Sequence, residues 1–299
     1  VTAGFPWRQA PLELVADGFH FLEGPRWRDG RLYLSDFYGH RVLTVDPAGT
    51  VSTVCEVPAQ PSGLGWTPAG DLLVVSMVDM SLLRLCAGTL RLVADLSPWA
   101  GGVTNDMIVD RRGRAYVGNV GDRSGGTVAP TVLLRVDPDG RVTVAAGGLY
   151  APNGAVLTPG EATLVVAETE AARLSAFDVS ADGGLHHRRV WASLGADPVT
   201  GKPVEPDGLA LDAEGAIWVA DANGHGVLRV APGGQVLDAI DTGDRSVYAV
   251  AFGGAGGRTL YLCAAPPGHA FDPQRRPLGV LMSVQVSTGA ASQAASVAA

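Results

Sequence analysis

Three cysteines in 299 residues, Cys55, Cys86 and Cys263, are too few and too scattered for a disulfide framework, and no CxxC pair offers a zinc site. Charge is scarce as well: 17% of residues are Asp, Glu, Lys or Arg, and a net charge of -8 leaves no basic cluster to hold nucleic-acid phosphates. No apolar stretch reaches the roughly 18 residues that a membrane span requires. The opening residues, Val1 to Gln9, lack the basic start and apolar run of a secretion signal. The expectation is a cytoplasmic protein with reduced thiols that binds neither nucleic acid nor membrane. Catalytic signatures are missing too. No GxSxG elbow occurs, so nothing points to a Ser-His-Asp triad. The run Gly253-Gly254-Ala255-Gly256-Gly257 has no Lys-Ser/Thr after it and reads as a hairpin turn, not a phosphate loop. Helix-period stretches are absent.

What the chain does have is turns. Gly 40 and Pro 20 make about a fifth of the sequence and are spread evenly, which fits many tight turns between short strands. The stretch from Glu205 to Asp221 shows the pattern: Asp207-Gly208, the apolar Leu209-Ala210-Leu211, a Glu214-Gly215 turn, and the apolar run Ala216 to Ala220. Val227 to Val230 and Val236 to Ile240 supply two further strands, so four strands fall within about 40 residues, the length of one propeller blade. Copies open at Glu23-Gly24, Ser62-Gly63, Asn105-Asp106, Asn153-Gly154, Asp207-Gly208 and Tyr248-Ala249.

The sixth copy runs out of chain before its fourth strand. Leu12 to Asp17 closely matches Leu90 to Asp95, the fourth strand of the second copy, and fills the gap from the other end. Closing the ring this way removes two exposed sheet edges. The fold expected is all-β: one six-bladed β-propeller domain over 1–286, with 287–299 as a flexible tail. Three longer insertions, 121–131, 195–205 and 266–277, are surface loops or lids.

In a propeller the innermost strands ring a central channel, so one equivalent position per blade faces the axis. That position carries Glu23, Ser62, Asn105, Asn153, Asp207 and Tyr248. Five are the oxygen donors that hard cations prefer, and the sixth is a phenol. Two carboxylates drawn together would repel, and a divalent ion removes the conflict. Polar residues at strand starts commonly serve only turn amides, but the recurrence at one repeat position outweighs that reading. The histidines show no metal spacing. His186-His187 reads as a solvent-facing turn, and His225 and His269 lie in loops from which the pocket is reachable.

The sequence resembles the SMP-30/gluconolactonase group, also called regucalcin-like, of six-bladed propeller lactonases. The resemblance rests on Glu23-Gly24-Pro25-Arg26-Trp27, Asn105-Asp106, Asn153-Gly154 and Pro206-Asp207-Gly208 with Trp218-Val219-Ala220, in that order. It implies that Glu23, Asn153 and Asp207 bind one divalent metal, with calcium first and Zn, Mn, Mg or Fe as alternatives. It also puts Asn105 beside the metal toward substrate, with Asp106 as a further polar contact. Sugar-lactone members carry an Arg two positions before that Asn. Val103 stands there in this chain, which points away from a polyhydroxylated lactone and toward a less polar lactone or ester.

The reading that follows is a metal-dependent carboxylic ester hydrolase that opens a small-molecule lactone. Asp207 would assist water attack, and Ser62 and Tyr248 would line the pocket with Asn105 and Asp106. Two other readings stay open at this point: an organophosphate-type hydrolase on the same metal site, and a non-catalytic calcium-binding propeller.

Overall fold

A computed structural model describes residues 5–197, 200–268, 272, 274 and 276–291. Six antiparallel sheets succeed one another along the chain, each of four strands and one with a fifth. Their inner strands are Leu22–Arg28, Pro61–Trp66, Thr104–Val109, Pro152–Leu157, Pro206–Leu211 and Ser246–Gly253. The sixth blade is completed by Glu13–Phe19, paired antiparallel to Gly279–Gln285, so the ring closes as expected from the Leu12 to Asp17 match. The protein is a six-bladed β-propeller. Helical structure among the described residues amounts to three short 3-10 turns, one of them at Ala255–Gly257 within the glycine-rich hairpin.

The core follows from strand alternation. Successive side chains point to opposite faces, and here both faces of a middle strand are buried. Leu73 and Val75 face the third blade, while Leu72 and Val74 face the first. Ile217 and Val219 pack toward the fourth blade, and Trp218 and Ala220 toward the sixth. Six hydrophobic clusters result, one at each junction between neighbouring blades. This explains why the second strands read as unbroken apolar runs. No blade buries its faces alone, so each depends on two neighbours.

Two features differ from the sequence expectation. Trp7–Arg8 forms a short parallel strand on the outer edge of the fifth blade, fixed by Arg8 to Asp238 at 2.7 Å. It covers an edge that would otherwise stay open. The stretch 287–299, expected to be a flexible tail, is tied down at Gly289 to Ala291. The Ala290 amide donates to the Gly257 carbonyl, Ala291 to Leu211, and the Gly289 carbonyl accepts from Ala213. Residues 292–299 lie outside the described residues. Among the described residues no helix is long and apolar enough to cross a membrane.

Candidate metal centre and pocket at the propeller axis

Each inner strand carries a β-bulge at the position singled out in the sequence. The register shifts lie between Glu23 and Arg26, Pro61 and Leu64, Thr104 and Met107, Pro152 and Ala155, Pro206 and Leu209, and Val247 and Ala249. A bulge re-aims the side chain at its extra residue. Here it does so six times around one axis. The glycine after the polar residue serves packing: a Cβ on Gly208 would lie 2.6 Å from the Ala249 Cα, and one on Gly154 would strike the Asp207 carbonyl. At these glycines the inner strands of adjacent blades approach too closely for a side chain.

Glu23 and Asp207 line a cavity of about 360 Å³ at this end of the axis, together with Asn105 and Tyr248. Glu23, Asp207 and Asn153 are all at least nine-tenths buried. Burial, then the charges of Asp207 and Asp106, holds the Glu23 carboxyl well above the usual carboxylate range. Burial and the charges of Asp106 and Glu205 do the same to Asp207, against a lowering contribution from the Asn153 amide. Neither carboxylate has an ion-pair partner among the described residues. Asp207 Oδ1 and Asn153 Oδ1 are buried with no hydrogen-bond donor at all.

Buried polar atoms are almost always satisfied, so two orphaned oxygens beside a buried carboxylate pair need an explanation. A divalent cation provides it: hard oxygen donors, two negative charges and a neutral amide oxygen match the donor set that calcium takes. Among the described residues no three His, Cys, Asp or Glu gather as a metal cluster, and the third ligand offered here is an amide.

Two hydrogen-bonded supports set the amides, and sequence reasoning missed the first. Asn153 Nδ2 donates to Thr169 Oγ1 at 3.3 Å, and that hydroxyl donates to the Pro206 carbonyl at 2.8 Å. Thr169 thereby fixes the Asn153 amide and ties the fourth blade to the fifth. Ser62, expected to line the pocket, is fully buried instead. Its hydroxyl donates to Asn105 Oδ1 at 3.0 Å, while the Ser35 hydroxyl donates to the Ser62 carbonyl. Asn105 therefore presents its amino group to the cavity.

Asp106, expected to touch substrate, does not line the cavity. Its carboxylate accepts from the Arg26 guanidinium at 3.0 Å and from the Met107 amide at 2.8 Å. The physical reason is that Asp106 stands where four of the other blades have glycine and the sixth has alanine, and its larger side chain is taken up by Arg26 of the first blade. The Arg26–Asp106 pair joins the first blade to the third, and the Asp106 charge bears on both Glu23 and Asp207. Arg26 also donates to the Met107 carbonyl, so the guanidinium is held from two sides.

The mouth is built by a second repeat position that the sequence also contains. The residue after the second strand of a blade donates its amide to the carbonyl two residues before the axial one: Phe37 to Phe21, Met77 to Gln60, Val120 to Val103, Thr169 to Ala151 and Ala222 to Glu205. Phe21, Phe37, Met77 and Ala222 line the cavity. This ring recurs at the strand ends of the same repeat, where an alignment of the blades makes it legible. Of the three insertions, only 266–277 reaches this cavity among the described residues, through Gly268. His225 is elsewhere, stacked on Trp7 with ring centroids 4.6 Å apart, and His269 lies outside the described residues. His186 and His187 are exposed, as expected, but sit in the strand Leu185–Ser193 and not in a turn.

A family model described as the SMP-30/Gluconolactonase/LRE-like region matches residues 21–266. The chain belongs to this family. It is 33% identical over 251 residues to a 6-deoxy-6-sulfogluconolactonase of Pseudomonas putida, covering 81% of this chain and 82% of that one. It is 30% identical over 250 residues to a pentonolactonase of Haloferax volcanii, covering 81% of each. Among solved structures, a calcium-binding protein, regucalcin, from Agrobacterium tumefaciens superposes with a TM-score of 0.78 over 98% of both chains, at 20% identity. That last likeness concerns the fold.

Proposed function

We propose that this protein is a metal-dependent lactonase. The observation that carries the reading is the pair of orphaned oxygens, Asp207 Oδ1 and Asn153 Oδ1, buried next to a Glu23 carboxyl that has no ion-pair partner among the described residues. The names of the two relatives, a sulfogluconolactonase and a pentonolactonase, support a lactone as the electrophile. Calcium fits the all-oxygen donor set best, with Mn, Mg, Zn and Fe as alternatives. When bound, the cation polarises the lactone carbonyl and stabilises the negative charge that develops on its oxygen.

The chain's own residues supply the rest. Glu23, Asn153 and Asp207 hold the ion. The Asp207 carboxylate, a ligand of the ion, is also the group that accepts the proton of the attacking water. Asn105, fixed by Ser62, donates its amino group to an oxygen of the substrate. Tyr248 contributes its ring face, because its hydroxyl donates to the Pro266 carbonyl at 3.3 Å. Burial, with the nearby charges of Asp207 and Glu23, pushes that phenol up to about 12, so it stays neutral and is no proton acceptor. Cys263 is no rival nucleophile, since burial holds its thiol well above its ordinary value. The free thiols fit a reducing, cytoplasmic setting.

The test is a hydrolysis screen on chelator-stripped protein, with Ca, Mg, Mn, Zn and Fe returned one at a time. Turnover of a lactone that appears only on adding a divalent ion is expected. Turnover independent of metal overturns the proposal, and a phosphotriester preferred over every lactone changes the electrophile.

A further inference from the structure

The cavity has two unlike halves. Its deep end is acidic, with Glu23 and Asp207, and its wall is aromatic. Phe21 lies against Tyr248 with ring centroids 4.4 Å apart and against Phe37 at 6.2 Å, and Phe37 meets Tyr38 at 4.4 Å. These four rings span the sixth and first blades as one continuous surface, and Met77 and Ala222 extend it around the mouth. No Lys or Arg lines the cavity among the described residues. The polar groups available above the carboxylates are the Asn105 amino group and the Tyr38 hydroxyl.

We infer that the lactone taken by this cavity carries an uncharged hydrocarbon arm, alkyl or aryl, on the ring carbon that faces the wall. The inference rests on the lactonase reading for its ring and on the wall for its arm. A polyhydroxylated ring would bury several hydroxyl groups against Phe21, Phe37 and Met77, which offer no hydrogen-bond partner. An anionic arm would meet no Lys or Arg in the wall among the described residues and two carboxylates below it. A hydrocarbon arm gains from every ring it covers.

Three five-membered lactones separate these cases on protein supplied with calcium: one with a pentyl arm, one polyhydroxylated, and one with a sulfonate arm. The pentyl lactone is expected to exceed both others in kcat/KM by about tenfold or more. In Met77→Gln that ratio should shrink about tenfold, a change of preference that a general loss of structure would not produce. Preference for the hydroxylated or the sulfonated lactone overturns the inference and leaves the lactonase reading standing. If no lactone is turned over, the lactonase reading fails, and calorimetric titration with the non-hydrolysable pentyl lactam decides the arm. Binding that weakens in Met77→Gln upholds the apolar wall as a ligand surface, and no binding overturns it.

Discussion

Glu168 and Asp207 sit at the same end of neighbouring blades and are both buried, yet their surroundings are opposite. Glu168, fully buried at the end of a second strand, accepts from Arg173, Arg188, the Ser175 hydroxyl and the Tyr150 amide. Those partners hold its carboxyl below the usual range despite burial. Asp207 is shifted the other way and keeps an oxygen without any donor. Other buried acids resemble Glu168: Asp36 pairs with Arg41, Asp110 with Arg114 and Asp212 with Arg229. This protein thus supplies an arginine to carboxylates that have a structural task. Glu23 and Asp207 lack one, and a carboxylate pair left so is a site for a charge that comes from outside the chain.

The largest effect should come from removing the outlier. Asp207→Ala is expected to abolish cation binding and lactone turnover together, read by calorimetric titration and by the hydrolysis assay; turnover that persists would remove Asp207 from the site. The counterpart is Glu168→Ala, which should cost about 3 kcal/mol of stability while cation binding survives. Thermal unfolding and the same titration check both halves, and a variant that loses the cation but not stability would invert the comparison.

Asp221 is an intermediate case. It is buried and accepts amides from Glu205 and Asn223, but no arginine pairs with it among the described residues. Burial pushes it up to about 6 from 3.8. Between those values the folded state binds more protons than the unfolded one, so stability should fall as pH rises through that window, by an amount on the order of 3 kcal/mol. Asp221→Asn should flatten this slope in melting curves from pH 4 to 6, and an unchanged slope would assign the effect to other groups. The smallest effect concerns Thr169. Thr169→Val is expected to weaken calcium binding about tenfold, as losing the support of a ligand does, with Thr169→Ser restoring it. Equal affinities in calcium titrations of the two variants would show that Asn153 needs no such support.

The supporting residues of the site were harder to read from the chain than its ligands, for a reason that Thr169 and Arg26 illustrate. Glu23, Asn153 and Asp207 stand at one position of a repeat, so aligning six copies singles them out. Thr169 acts on a residue in its own blade and on a carbonyl in the next, and Arg26 of the first blade pairs with Asp106 of the third. Such partnerships have no sequence separation in common, and only the closed ring brings them within reach. Asp106 shows the same limit from the other side. Its neighbour Asn105 faces the cavity, while the Arg26 guanidinium and the Met107 amide hold the adjacent carboxylate out of it.

By itself the sequence determined the repeat, and with it the number of blades, the N-terminal strand that closes the sixth, and the ring of polar residues at the axis. These are local properties: period-2 alternation, turn glycines and a recurring polar position need no knowledge of distant contacts. The tertiary structure alone decided which axial residues are free to bind and which are occupied. It gave Ser62 to Asn105 and Arg26 to Asp106, left Asp207 and Asn153 with unpaired oxygens, and gathered Phe21, Phe37 and Tyr248 into one wall. Hydrogen-bond partners and burial depend on how blades meet, and no single blade carries that information.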